Sequence, residues 1–343
     1  MWTSIFSATD TIDAMLVFDS NQLRHMLPGN PSLLMVKAAA QRSGHTLATT
    51  DIVMHEVIRW HREELQLKIK ALRSAVREVN TLMPPRHTIA DPPQGILPRG
   101  FADGFETKQM EQALREELRI LVTQPADALE ALFREADRRS PCKANGEGAR
   151  DAAIFLTALR ASDPPDVGPD GRALPLVFVS QDRAFSDTAD RARPAAGLLA
   201  DVGERAVVIC TDVVSALAQM GFPHAELNPK DIIGRTDFRE MLRDAMLEAC
   251  GANFSPTSSA MLSGALVPRL PQLRDRGRWA RQCSTDGMTM TSVEGSWSCT
   301  VDVRRQGGSD GFYYLSADVS ALITQDSDGN VVEAQFAPMS VRL

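Results

Sequence analysis

"LVFDSNQL", Leu16–Leu23, carries an apolar run directly into an acid, a hydroxyl and an amide. The continuously apolar "AMLVF" over 14–18 has the form of a short buried strand. Asp19, Ser20 and Asn21 at its end all cap helices well, so strand followed by helix is the plainest reading. The pattern recurs along the chain. "HTLATT" (45–50) predicts a second strand, with Asp51 in place to cap a long helix. "LPLVFVS" (174–180) is the clearest buried strand, and "RAVVICT" (205–211) is another. The helix "DVVSALAQMG" then follows, with Asp before it and Gly after it. Strands alternating with helices predict an α/β fold, a parallel sheet wrapped by helices.

The stretch from about 56 to 138 is too long for a simple crossover and reads as a helical insertion at one edge of that core. In it, Leu65, Ile69, Leu72, Val76 and Val79 recur at helical spacing. The Pro-rich "PPRHTIADPPQGILPRG" (84–100) ends this helix as a loop, and helices are expected over about 105–122 and 126–138. "DPPDVGPDGRA" reads as a further loop before the strand at 174. Past about 225 the character changes. Helices are expected at 236–250 and 256–266, then a Pro/Arg-rich stretch. Three strand-like runs follow, with turn signals at "GGSDG" and "DSDGN" between them. The expected organisation is a domain over 1–224 and an α+β domain with an antiparallel meander over 225–343.

With 343 residues and 43% hydrophobic content, the chain can bury a sizeable core. A net charge of -7 means that any nucleic-acid surface must be local. The five cysteines, Cys142, Cys210, Cys250, Cys283 and Cys299, are odd in number and scattered. That pattern argues against a disulfide framework or a zinc ribbon and suits a reducing, cytoplasmic setting. The N-terminus has neither the basic start nor the apolar run of a signal peptide, and no window suggests a membrane span.

Four acids stand at comparable places. Asp19 follows the first strand, Glu56 lies in the first turns of the helix after the second, Asp151 opens the helix after "NGEG", and Asp182 comes just after "LVFVS". In a parallel α/β sheet, strand carboxyl ends and the helix starts that follow them share one rim, where such folds keep their sites. Carboxylates gathered there repel one another unless a cation neutralises them, and hard divalent ions prefer such oxygen ligands. Asp19 would then be a ligand, steadied by Asn21 or the Ser20 hydroxyl. Taken singly, Asp19 reads as a helix cap, Glu56 as a solvated helix acid, Asp151 as a favourable charge near a helix N-terminus and Asp182 as a turn former.

"VFDSN", "HEVIRWHREEL", "PCKANGEGARDAAIFLTAL" and "LVFVSQDRAF" resemble the four acidic motifs of PIN-like nuclease domains. The similarity is to the larger bacterial type with a helical insertion between the second and third motifs. It spans residues 14–220. The resemblance implies a PIN-like, Rossmann-like core and metal-dependent hydrolysis of RNA leaving 5′-phosphate and 3′-hydroxyl ends. Asp19, Glu56, Asp151 and Asp182 would be the catalytic set, holding one or two Mg²⁺ or Mn²⁺ ions. Ser180-Gln181-Asp182 departs slightly from the family's fourth motif, so Asp187 is an alternative to Asp182. Glu147 could add an outer contact, and Ser180 stands beside the acids.

Local basicity would be needed to bring RNA to an acidic rim. Arg59, Arg62, Lys143, Arg183 and Trp279 are the candidate contacts, Trp279 lying in the Arg-rich "RLPQLRDRGRWARQ" (269–282). A solvated helix face explains Arg59 and Arg62 as well. A protein inhibitor or a second copy are further conceivable partners. "HEVIRWH" is no zinc-protease motif, because Arg59 stands where the second histidine belongs. "GEGARD" has no preceding strand, and "DSDGN" is better a hairpin turn than a calcium loop. The rival readings are a PIN-like module that no longer cuts and binds RNA or protein through its C-terminal domain, and a metal phosphatase of small phosphoesters.

Overall fold

The computed structural model describes residues 14–28, 30–83, 105–162, 175–223, 232, 235–253, 265–268, 272–273, 278–283, 289–304, 311–336 and 341–342. The expected loops at 84–100 and 163–173, the "GGSDG" turn and most of the expected helix at 256–266 lie outside these residues. The chain divides into two compact units. One comprises Ile12–Pro28 and Gly44–Asp212, and the other includes Gly29–Ser43 and Val213–Leu343.

The first unit is built on a five-stranded sheet: β1 (Met15–Phe18), β2 (Thr46–Thr50), β3 (Arg119–Leu121), β4 (Leu176–Val179) and β5 (Val207–Cys210). Every pairing is parallel, in the order β3-β2-β1-β4-β5. β1, β4 and β5 are four residues each and buried throughout, as strands covered on both faces must be. The expected α/β class and its four strands are observed. β3 is the departure. The expected helix over about 105–122 stops at Glu117, and "RIL" joins the sheet beside β2. Three residues are too few to show a period, so this edge strand is invisible to pattern reading. The long insertion is therefore not wholly helical.

The helices of this unit are α1 (Ser20–Leu23), α3 (Asp51–Leu82), α4 (Phe105–Glu117), α5 (Pro125–Asp137), α6 (Ala149–Ala161) and α7 (Leu199–Val202); α2 (Pro31–Ser43) belongs to the other unit. α3 is capped by Thr50, whose hydroxyl accepts from the Val53 N–H, and not by Asp51 as expected. Asp51 instead turns to the loop after β3, taking the Thr123 N–H at 3.1 Å. Of the five apolar residues that marked α3 in the sequence, only Val76 is buried; the buried set is otherwise Val53, Met54, Val57 and Ile58 in the first turns. α3 is anchored chiefly in its first turns, with Val76 buried again near its far end.

In the second unit, α2, α8 (Val213–Gln219) and α9 (Thr236–Asn253) accompany a seven-stranded sheet. Its centre is β9 (Thr289–Arg304) paired antiparallel with β10 (Gly311–Gln325), which pairs in turn with β11 (Val331–Phe336). This is the expected meander. β6 (Ala265–Pro268), β7 (Gln272–Leu273) and β8 (Arg278–Cys283) pair with β9, and β12 (Val341–Arg342) with β10. The expected helix at 256–266 is thus corrected at its end, where Ala265 begins β6. Phe238, Leu242 and Met246 recur every four residues on α9 and share a core with Val293, Trp297, Val319, Ala321 and Ile323. "DSDGN" is a hairpin turn, with Asp326 accepting from the Asp328 and Asn330 N–H groups.

Candidate functional site

The strand order reverses direction at β1: the chain builds outward through β2 and β3, then returns to the other side of β1 with β4. In open α/β sheets the crevice beyond the carboxyl ends at such a switch point is where ligands bind. Asp19 and Ser180 are the first residues beyond β1 and β4, whose last residues, Phe18 and Val179, are partners in register.

These two residues are joined. Ser180 is buried, and its hydroxyl donates to Asp19 Oδ2 at 2.6 Å while accepting from the Asp182 N–H at 3.1 Å and from Asn21 Nδ2 at 3.3 Å. One donor and two acceptor sites are thereby filled. Asn21 also donates to Asp19 Oδ2 at 2.9 Å, and its Oδ1 accepts from the Gln181 N–H. Ser20 contributes its backbone N–H to Asp19 Oδ1. The expected steadying of Asp19 by Asn21 is observed. Ser20 acts through its backbone, and Ser180 supplies the hydroxyl contact.

Asp151 comes to the same rim on α6. The helix start is fixed by glycine: a Cβ on Gly148, whose φ is +130°, would lie 2.9 Å from Cys142 Cα. Four residues on, and so on the same helix face, Phe155 packs edge-on against Phe178 of β4 and at a shallow tilt against Phe185. Phe178 precedes Ser180 and Phe185 follows Asp182, so one aromatic cluster ties together the backbone segments bearing Asp151, Ser180 and Asp182. Glu56 sits in the second turn of α3, where its Oε1 takes Arg150 Nη1 at 2.6 Å.

The four acids feel one another. Asp151 is pushed up to about 6 by burial and then by the charges of Asp19, Asp182 and Glu56, with Arg150 pulling the other way. Asp19 is raised by burial; the Ser180 hydroxyl and the Ser20 N–H oppose this, and Glu56 and Asp182 add repulsion. The donor set is all carboxylate oxygen, the chemistry a hard divalent ion takes. As placed, no group of three or more Asp, Glu, His or Cys side chains among the described residues is set to hold a metal ion. Glu56 is turned to Arg150, and Asp182 Oδ1 accepts from the Ala184 N–H in a local turn.

The remaining sequence candidates fall outside this group. Asp187 caps its own turn, accepting from the Ala189 and Asp190 N–H groups. Glu147, Lys143 and Arg183 are exposed. Arg59 pairs with Glu63 one turn along α3. Trp279 stands on β8 of the second unit, in register with Val293. Arg150 escaped the sequence reading, although a cation in the first turn of a helix opposes the macrodipole and is a signal in itself. Comparisons with protein-family models, curated proteins and solved structures found no match. No described helix is long and apolar enough to cross a membrane.

Proposed function

We propose that the chain is a divalent-metal-dependent endoribonuclease of the PIN-like kind, hydrolysing RNA phosphodiesters at the rim formed by Asp19, Glu56, Asp151 and Asp182. The observation that carries this reading is a convergence of acids far apart in sequence: burial and then the charges of Asp19, Asp182 and Glu56 raise Asp151, and burial with the charges of Glu56 and Asp182 raises Asp19, at the switch point of a parallel sheet. Such an excess of negative charge is a functional arrangement more often than a structural one. These four would hold Mg²⁺ or Mn²⁺, which when bound supplies Lewis-acid stabilisation of the phosphoryl group and lowers the pKa of water. Ser180 and Asn21 fix the Asp19 carboxylate, and the phenylalanine cluster fixes the backbone that presents Asp151 and Asp182.

The test is incubation of the purified protein with labelled RNA, with Mn²⁺ and with excess EDTA. Cleavage only with Mn²⁺, yielding 5′-phosphate ends and lost in Asp151→Asn, is expected. Equal cleavage in EDTA, or full activity in Asp151→Asn, overturns the reading. A second reading, a PIN-like module that binds RNA or protein without cutting, draws on the Glu56–Arg150 pair, which supplies the rim with a cation of its own. Calorimetric titration with Mn²⁺ separates the two, since an inactive module needs no metal at the rim.

A further inference from the structure

Beside the acids lies a cationic feature that no sequence motif announced. Arg24 is the C-cap of α1, whose N-cap is Asp19. Trp60 lies four residues after Glu56 on α3, on the same helix face and about 6 Å along the axis. The two meet: the Arg24 guanidinium carbon sits 5.9 Å from the centre of the Trp60 ring. A pair of which one member is a turn from Asp19 and the other a turn from Glu56 therefore flanks the rim.

Arg24 is uncommitted. Its Nε is buried with no hydrogen-bond partner, and its guanidinium makes no hydrogen bond among the described residues. An acid within its electrostatic reach, Glu63, is already shared. Glu63 is pulled below the usual carboxylate range by its bond to Arg59, with Arg62 and Arg24 adding to the effect. One carboxylate thus faces three guanidinium groups. A guanidinium held on an indole plane presents a fixed fork of N–H donors, which matches the oxygens of a phosphate.

Resting on the nuclease reading above, we propose that Arg24, held by Trp60, is a backbone-phosphate subsite for single-stranded RNA, binding a phosphate next to the one at the acid rim. Arg62 and Arg59 extend the track along α3. The contact is to phosphate, so it steers the strand and sets affinity without reading sequence. Because the acids repel a polyanion, an adjoining cation that the protein leaves free has a clear role in bringing the strand to them.

The test is fluorescence anisotropy of a labelled single-stranded RNA on the full-length protein, in Mg²⁺ and in the cleavage-blocked Asp151→Asn background. Arg24→Ala should weaken binding about tenfold and reduce the slope of log affinity against log salt by about one. Arg24→Lys should recover only part of the loss, because an ammonium lacks the planar fork. Trp60→Leu should weaken binding while leaving the salt slope closer to that of the parent. Unchanged affinity and slope in Arg24→Ala overturn the subsite and leave the nuclease reading standing. A protein with Asp151 intact that cleaves RNA with the same KM when Arg24 is alanine does so equally. No binding and no cleavage of RNA by the unsubstituted protein overturn both. A thermal melt of each variant identifies loss of fold, and the Arg24→Lys variant keeps the test decisive if alanine unfolds the chain.

Discussion

Two buried hydroxyls, one in each unit, behave in opposite ways. Ser180, at the end of β4, fills all of its hydrogen-bonding capacity and ties Asp19, Asn21 and the Asp182 backbone together. Thr291, on β9, has no partner for its Oγ1 among the described residues, and neither has Trp297 Nε1 further along the same strand. The contrast extends to charge. The first unit buries Asp19, Asp127 and Arg134, whereas the buried polar residues described in the second are Thr289, Thr291, Ser292 and Gln325, all neutral. Short parallel strands end together and collect polar side chains at one rim. Long antiparallel strands pack their length against a helix and collect nothing of the kind. Asp127 and Arg134 are held in ion pairs with Arg160 and Asp201, whereas buried Asp19, held by the Ser180 hydroxyl and the Asn21 amide, is the one of the three at the rim.

The contrast is broken most sharply by removing charge. Asp19→Asn and Asp151→Asn should each lower Mn²⁺-dependent RNA cleavage by about 10²-fold or more, with far-UV circular dichroism unchanged. Retained activity in both would deny the first unit its role. The two hydroxyls give the next test. Ser180→Ala removes the bond that holds Asp19 and should reduce Mn²⁺ affinity or cleavage about 10- to 100-fold. Thr291→Val deletes an unsatisfied group of similar shape, so it should leave cleavage unchanged and stability the same or higher. Equal effects of the two substitutions in a paired activity and melting experiment would erase the distinction between the units.

How much of this was legible in the sequence follows from length and from periodicity. Continuous apolar runs announced β1, β4 and β5, and strand-like runs separated by turn signals announced the antiparallel meander. β3 carried only three residues, with Arg119 among them, and could not be seen. Nor could the grouping of α2 with the second sheet, since an amphipathic helix does not name the surface that it covers. At the rim, the acids were readable because Asp19, Asp151 and Asp182 stand at the ends of strands or the start of a helix, and Glu56 in the first turns of one, all on the side where a parallel sheet keeps its strand carboxyl ends. Ser180 was readable only as a neighbour. Arg24 and Trp60 were not, because their roles depend on which distant residue folding brings beside them, and Arg150 offered only its unfavourable charge in the first turn of a helix.

Proton linkage is a smaller effect, with a definite sign. Asp151 stands near 6 in the fold against about 3.9 in an unfolded chain, so folding favours its protonated form. Its contribution is therefore full below about pH 4, declines as pH rises through 6, and leaves a penalty above that. Partial exposure screens the penalty to the order of 1–2 kcal/mol. Asp151→Asn removes it. Melting temperatures at pH 4 and pH 7.5, measured without divalent metal, should show the variant close to the parent at the lower pH and more stable at the higher. A gap that is largest at pH 4 contradicts the raised proton affinity. Thr291→Val, lacking any titrating partner, should show the same difference from the parent at both.

Arg150 makes the smallest expected change and bears on whether the rim is built for a metal or balanced without one. Its side chain is 76% exposed, so its pair with Glu56 is weak and is screened by salt. Replacing it by alanine has two opposing consequences. Glu56 loses a competitor and the rim gains negative charge, which favours a divalent cation. Asp151 loses a cation that lowers its proton affinity, which favours a proton instead. At pH 8 the proton no longer competes, so Arg150→Ala should bind Mn²⁺ about two- to fivefold more tightly by calorimetry, the range expected of an exposed ion pair. At pH 6 the gain should shrink, because metal and proton contend for the same carboxylate. Weaker binding at pH 8 would make Arg150 part of the structure of the rim, and the charge of the first unit would then be balanced by its own arginine rather than awaiting a cation.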